Sequence, residues 1–222
     1  MNIIKKIAIA ATFLCAATAV NAEDGLKIGG RLGYSTQSVG AYDMSLLGVG
    51  AGVVINIPAG PIIVGPEVAF LYRSNFTYKS IDFKTGAVKD VDQTELAVSV
   101  PILVKYFPIE GLYIQAGVQV DLPLNAKLGD EPMDGKEIEV NGVKTGTFNW
   151  ERAAIDLGIP VGVGYFVLPN LSVDARYVIG LLAHSKYKMA NPLGSFLGGS
   201  AAPIEIESDP LSSISVGVTY FF

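Results

Sequence analysis

The chain holds one histidine, and a serine follows it directly at His184-Ser185. A serine nucleophile needs a base within hydrogen-bond reach. Adjacent side chains on a strand point to opposite faces, so these two diverge unless the strand has ended. His184 therefore reads as a loop or interface residue, and no catalytic residue is assigned. The acidic groups Asp130-Glu131 and Glu205 to Asp209 have the oxygen chemistry of a divalent-cation site, but they sit in stretches that read as solvated loops. One cysteine, Cys15, and one histidine allow neither an intramolecular disulfide nor a His/Cys zinc cluster. No metal and no cofactor is expected. Lys186 and Lys188 have the chemistry to meet phosphates at a membrane surface.

The remaining charged residues have a telling arrangement. Lys27, Arg31, Arg73, Lys105, Arg152 and Arg176, with Glu67, Glu95, Asp121, Asp156 and Asp174, all lie inside otherwise apolar segments, and in each they alternate with aliphatic residues. Period-two alternation is the mark of a β-strand with two unlike faces. Eight such segments can be traced, at about 26–35, 47–57, 62–73, 94–107, 112–122, 152–167, 171–182 and 211–222. In the fourth, for example, Leu96, Val98, Val100, Ile102, Val104 and Tyr106 oppose Glu95, Ser99 and Lys105. In the fifth, Leu112, Ile114 and Leu122 oppose Tyr113, Gln115, Gln119 and Asp121. The most apolar stretch, 48–66, contains prolines 58, 61 and 66 and several glycines, which rule out a membrane-spanning helix.

Three features place the apolar faces outside and the charged faces inside. The strands run to about ten to fifteen residues, enough to cross a bilayer when tilted. Tight turns near 58–61, 108–111 and 168–170 alternate with longer polar links near 36–43, 74–93, 123–151 and 183–210, the pattern of an up-and-down barrel. Aromatic residues collect at the ends of the apolar faces, with Tyr34 and Tyr72 toward the long links and Tyr106, Tyr165 and Phe222 toward the turns. Such residues would form two interfacial girdles. In hydrocarbon every backbone polar group needs a protein partner, so the sheet must close on itself. The expected fold is all-β, an eight-stranded antiparallel up-and-down transmembrane β-barrel. A soluble sandwich, with the polar face outside, is the competing architecture.

Eight strands enclose a lumen that side chains can fill. The six cations and five anions just named are expected to pair there as a plug, with Gln115 and Gln119 as further partners, because an unpaired buried charge costs several kcal/mol. The inward glycines at 48, 50 and 52 and at 158, 162 and 164 are expected to leave room for Arg31, Arg73 and Arg176 to lie flat. Pro66, Pro101 and Pro160 fall within strands and should be accommodated, the last two by bulges. A hairpin-like stretch, 137–148 around Asn141-Gly142, leaves ten strands as an alternative, though its charges favour a place above the bilayer.

Composition fixes the broad class. Of 222 residues 50% are hydrophobic and 17% charged, and the formal net charge is −5. This excludes a disordered chain or one that coats nucleic acid. Residues 1–22 read as a cleaved signal peptide: Lys5 and Lys6, then an apolar run from Ile7 to Thr18, then Val20-Asn21-Ala22. Cleavage before Glu23 would remove two lysines and Cys15, taking the charge to −7 and leaving residues 23–222 as the outer-membrane β-barrel. Leu14 before Cys15 argues against lipidation.

The final octet, Ser215-Val216-Gly217-Val218-Thr219-Tyr220-Phe221-Phe222, resembles the assembly signal of outer-membrane β-barrel proteins: a polar residue at Ser215, then Gly217, Tyr220 and a terminal Phe222. Residues 100–107 and 111–117 resemble the fourth and fifth strands of the porin-like outer-membrane barrel-domain family, the small OmpA/OmpX-type barrels. Residues 156–165 and 171–177 resemble its sixth and seventh. The resemblance spans nearly the whole mature chain. It implies an eight-stranded barrel in a Gram-negative cell envelope, exported across the inner membrane and inserted by the barrel assembly machinery with periplasmic chaperones. Outer-membrane lipid and lipopolysaccharide would surround it, and a monomer is expected. It implies no reaction. The expected role is structural or interactive, through the extracellular loops over a charge-plugged lumen. A narrow porin-like diffusion channel and a lipid-modifying enzyme are the alternatives, and no soluble domain is expected beyond Phe222.

Overall fold

Alternating residues fold into ladders that close on themselves. The computed structural model describes residues 25–39, 42–75, 78–81, 88–91, 93–128, 131–132, 134–140, 143–189 and 204–222. The leader, its cleavage site and Asp130 lie outside these. In chain order the strands are β1 (Lys27–Val39), β2 (Tyr42–Ala59), β3 (Ile62–Asn75), β4 (Tyr78–Ile81), β5 (Val88–Val91), β6 (Gln93–Ile109), β7 (Leu112–Leu128) and β8 (Glu131–Pro132). There follow β9 (Asp134–Val140), β10 (Val143–Arg152), β11 (Asp156–Leu168), β12 (Leu171–Gly180), β13 (Ser185–Met189), β14 (Ile204–Glu207) and β15 (Leu211–Phe221).

Eight of them make the barrel. The order is β11-β12-β15-β1-β2-β3-β6-β7, every pair is antiparallel, and β7 pairs back to β11. The terminal strands meet in register from Gly29↔Phe221 to Val39↔Leu211. The 137–148 ribbon does not enter the wall. As β9 and β10 it joins β13 and β14 in a separate four-stranded sheet on the long-link side. The sheet is joined to the wall by strands that run nearly end to end, β10 with β11, β12 with β13 and β14 with β15. The 36–43 link is mostly strand, since β1 continues to Val39 and β2 begins at Tyr42. On the other side, Gly60 and Gly111 take positive φ of 66° and 79° in two of the three tight turns, a conformation that side chains oppose.

The burial pattern is the inverse of a water-soluble fold. Leu32, Val49, Phe70, Val118, Ile214 and Val216 are exposed, whereas Arg73, Glu95, Glu67 and Lys105 are buried. Four outward positions depart from this: Ile55 on β2 is 2% exposed, and Val98, Val100 and Leu122 are buried against one another with Val68, Val120 and Leu124 beside them, next to a register shift between Leu96 and Ala97. Exposure of the remaining outer face makes a test simple. Val216, 52% exposed, sits on the outer face of β15. Val216→Arg is expected to cost about 2–4 kcal/mol if that face meets the middle of a bilayer. Unfolding of the variant in lipid vesicles, compared with the wild type, measures it.

The strand prolines are accommodated differently from the sequence expectation. Pro101 and Pro160 form no bulge. Each keeps register with one neighbour, Pro101↔Gln119 and Pro160↔Val178, while the other ladder skips two pairs. The β3–β6 ladder has no pair between Pro66↔Ile102 and Ala69↔Ser99, and the β7–β11 ladder has none between Gly158↔Gln119 and Val161↔Ala116. Pro66 stands at a gap of the same kind, between Val54↔Glu67 and Ile57↔Val64. A missing N–H removes a ladder donor toward one side only, so a local gap suffices and no residue need be inserted.

Candidate functional site

Inward positions of the eight strands build the lumen in layers. At the short-turn end an aromatic floor forms where Phe107, Tyr113, Phe166 and Phe221 meet. Ring centroids lie 5.6 Å apart for Phe107–Tyr113 and 5.7 Å for both Tyr113–Phe166 and Phe166–Phe221. Tyr113 lies flat against Gly164, in space that a Cβ there would occupy. Sequence reasoning does not single out Phe107 and Phe166, although their parity with Lys105 and Gly164 places them inward.

Above the floor sits an inner ionic ring. Arg31 on β1 reaches past β15 to Asp174 on β12 with both guanidinium ends, one bond measuring 2.9 Å. Arg176 sends its two terminal nitrogens across the lumen to Glu67 on β3, at 2.6 and 2.8 Å, and holds its Nε 2.8 Å from Asp174. Glu67 closes the circuit 4.0 Å from Arg31. Bidentate arginine–carboxylate pairs combine charge with fixed geometry. Lys105 completes this level by donating to Asn56 at 2.9 Å, with its ammonium 5.5 Å from the Tyr113 ring centroid.

Glycines seat these side chains, though not all those expected. Arg176 packs on Gly162, its Cγ 3.1 Å from where a Cβ would lie, and Arg73 Cγ is 3.7 Å from the corresponding point at Gly48. Arg31 takes neither column: its guanidinium occupies the Cβ position of Gly217.

The outer layer is organised by Arg73. One end donates to Glu95 at 2.6 Å, the other to Asp121, and Asp156 stands 3.7 Å away. Arg152, at the end of β10, grips Glu95 at 2.6 and 3.1 Å, bonds Asp156 with both ends and donates to the His184 carbonyl at 2.7 Å. Gln119 donates to Asp121 at 3.0 Å. Gln115 makes no side-chain hydrogen bond with the described residues. Between the layers lies a cavity of about 80 Å³, bounded by Arg31, Glu67 and Arg176 on one side and Arg73 on the other.

One member expected in the plug is absent from it. Lys27 shares the inward face of β1 but is exposed at the rim, beyond the floor, and takes no part in the plug. Among the described residues the lumen therefore holds five cations, Arg31, Arg73, Lys105, Arg152 and Arg176, against five anions. His184 does lie outside the strands, in the bend between β12 and β13, but it is buried in the outer layer, its Nε2 3.9 Å from Glu95 and its Nδ1 3.5 Å from Asp156. Neither ring nitrogen is hydrogen-bonded to Ser185, so no nucleophile–base pair exists there. Lys186 is also committed, paired with Glu207 at 2.6 Å, and this hydrogen bond raises the affinity of its ammonium for the proton. Glu207, part of the acidic Glu205–Asp209 group, is occupied in the same way.

Tyr34, Tyr72, Tyr106 and Tyr165 lie half-exposed on the outer surface. Within the final octet Ser215 borders the cavity, while the Tyr220 and Phe222 rings meet edge to face at 5.7 Å on the outside.

Among solved structures, Neisserial surface protein A is 15% identical, with a TM-score of 0.44, 89% of this chain and 97% of that chain being covered. A major outer membrane protein from Thermus thermophilus is 14% identical at a TM-score of 0.48, covering 89% and 99%. The outer membrane protein OprG from Pseudomonas aeruginosa is 13% identical at 0.45, covering 89% and 95%. No curated protein matches. The family model described as "Outer membrane protein beta-barrel domain" matches residues 7–222, practically the whole chain, and the protein therefore belongs to that family of outer-membrane barrels.

Proposed function

We propose that this outer-membrane protein is a plugged barrel that works as a structural and interaction element rather than as a pore. One observation carries the reading: the lumen is crossed by an aromatic floor and two ionic layers whose members pair with one another from β1, β3, β6, β7, β10, β11 and β12. Charges used in mutual pairing are not available to lead a solute through. The extracellular links, with the sheet of β9, β10, β13 and β14, are left to meet lipopolysaccharide or partners. In this reading a signal peptide of residues 1–22 directs export, and Ser215, Gly217, Tyr220 and Phe222 present the assembly signal to the barrel assembly machinery. The four outer tyrosines anchor the wall at the two membrane interfaces, and the protein acts as a monomer.

The cavity between the ionic layers favours a second reading, a narrow diffusion channel. Planar-bilayer recording of refolded protein separates the two. The plug predicts no defined conductance steps, and steps of reproducible size at neutral pH would replace the first reading by the second. An enzymatic role finds no support in His184, whose two nitrogens face carboxylates.

A further inference from the structure

Among the described residues, the ionic layers are balanced together but not separately. Around the inner ring, Arg31, Lys105 and Arg176 face Glu67 and Asp174; in the outer layer, only Arg73 and Arg152 face Glu95, Asp121 and Asp156. The outer layer is thus short of one positive charge while His184 is neutral. His184 stands where that charge is missing. It is 3% exposed, and its two ring nitrogens look toward two different carboxylates, Glu95 on β6 and Asp156 on β11. A neutral imidazole has one N–H and one lone pair, so one carboxylate must face a lone pair; only the imidazolium presents a donor to each. The backbone around the ring is fixed: the His184 carbonyl accepts from Ala153 N at 3.0 Å and from Arg152 at 2.7 Å, and its N–H donates to the Asp209 carbonyl at 3.4 Å.

We propose that Glu95, His184 and Asp156 form a proton-binding site in the outer layer, whose occupancy switches that layer between net negative and neutral. With the proton bound, the ring ties β6 to β11 from within the lumen. Without it, the excess negative charge stays buried among the carboxylates. The charged groups that face the site from the described strands are these. Arg152 contacts both carboxylates from β10, Arg73 reaches both from β3, and Asp121 on β7 is held by Arg73. Asp209 offers its carbonyl. The ion pairs exist only while the ring is protonated, so their stabilisation is present on the acid side and is lost when the ring gives up its proton.

The chain's single histidine makes the test direct, since selective ¹⁵N-histidine labelling reports on this ring alone. In refolded wild-type protein carried through a pH series, both ring nitrogens are expected to be protonated at its acid end and to convert in one step to the neutral pattern as the pH is raised. Over the same interval the thermal midpoint should fall by about 2–4 °C. His184→Gln should remove this pH-dependent part of the midpoint. A ring that keeps one protonation state across the range overturns the proposal, as does a wild-type midpoint profile that matches that of His184→Gln. The labelled wild type decides the matter even if the variant does not fold.

Discussion

Arg73→Ala is expected to lower the unfolding free energy by about 3–5 kcal/mol, the usual consequence of leaving buried charge without its partner. The residue is 1% exposed and touches three carboxylates at once, Glu95, Asp121 and Asp156. Two of them, Asp121 and Asp156, are direct cross-strand partners on β7 and β11. Like charges opposite one another destabilise a sheet, and here the guanidinium between them offsets that repulsion. Arg152 can compensate Glu95 and Asp156, since it already binds both, but Asp121 is left with only the Gln119 amide among the described residues. Urea unfolding of refolded protein measures the loss. Adding Asp121→Asn to the same chain should recover a good part of it. A loss under about 1 kcal/mol would mean that water already solvates these groups, and the plugged lumen would have to be given up.

The second large effect is expected at Gly217. Gly217→Leu places a side chain where the Arg31 guanidinium lies, so Arg31 must leave Asp174 and Glu67. Overpacking and a broken buried pair together should cost about 3–5 kcal/mol. The site also lies on the closing seam, where Gly217 pairs with Gly33 and β15 joins β1. Folding in detergent, without assembly machinery, isolates the structural contribution. The folded fraction, followed by the gel-mobility difference between boiled and unboiled samples, should drop sharply. In an Arg31→Ala background the same leucine should cost much less, because the displaced group is gone. If Gly217 matters only as a recognition mark, detergent refolding will be unaffected in either background.

The plug is largely legible in the sequence because strand geometry is strict. A side chain's face follows from parity, so Arg31, Glu67, Arg73, Glu95, Asp121, Asp156, Asp174 and Arg176 can all be assigned to the lumen without a single distance. Their partners cannot, because pairing depends on register across strands far apart in the chain: Arg31 and Asp174 are 143 residues apart. Lys27 has the right parity but lies too near the strand's start, and parity carries no information about depth. His184 escapes sequence reasoning for a related reason. It shares even numbering with Asp174 and Arg176, yet the regular strand stops at Gly180, and the alternation loses its meaning there. The prolines show the limit of a local rule. Their missing donor can be foreseen, but the wall answers with a gap in one ladder, which only the paired strand reveals.

That gap gives the wall a preferred place to part. The join between the two ends of the chain is continuous over eleven residue pairs, whereas the β7–β11 join is interrupted at Pro160 and sets two aspartates face to face. Tearing under load therefore starts away from the termini. Peeled open there, the tube becomes one flat ribbon from β11 to β7, with the first and last strands still zipped together near its centre.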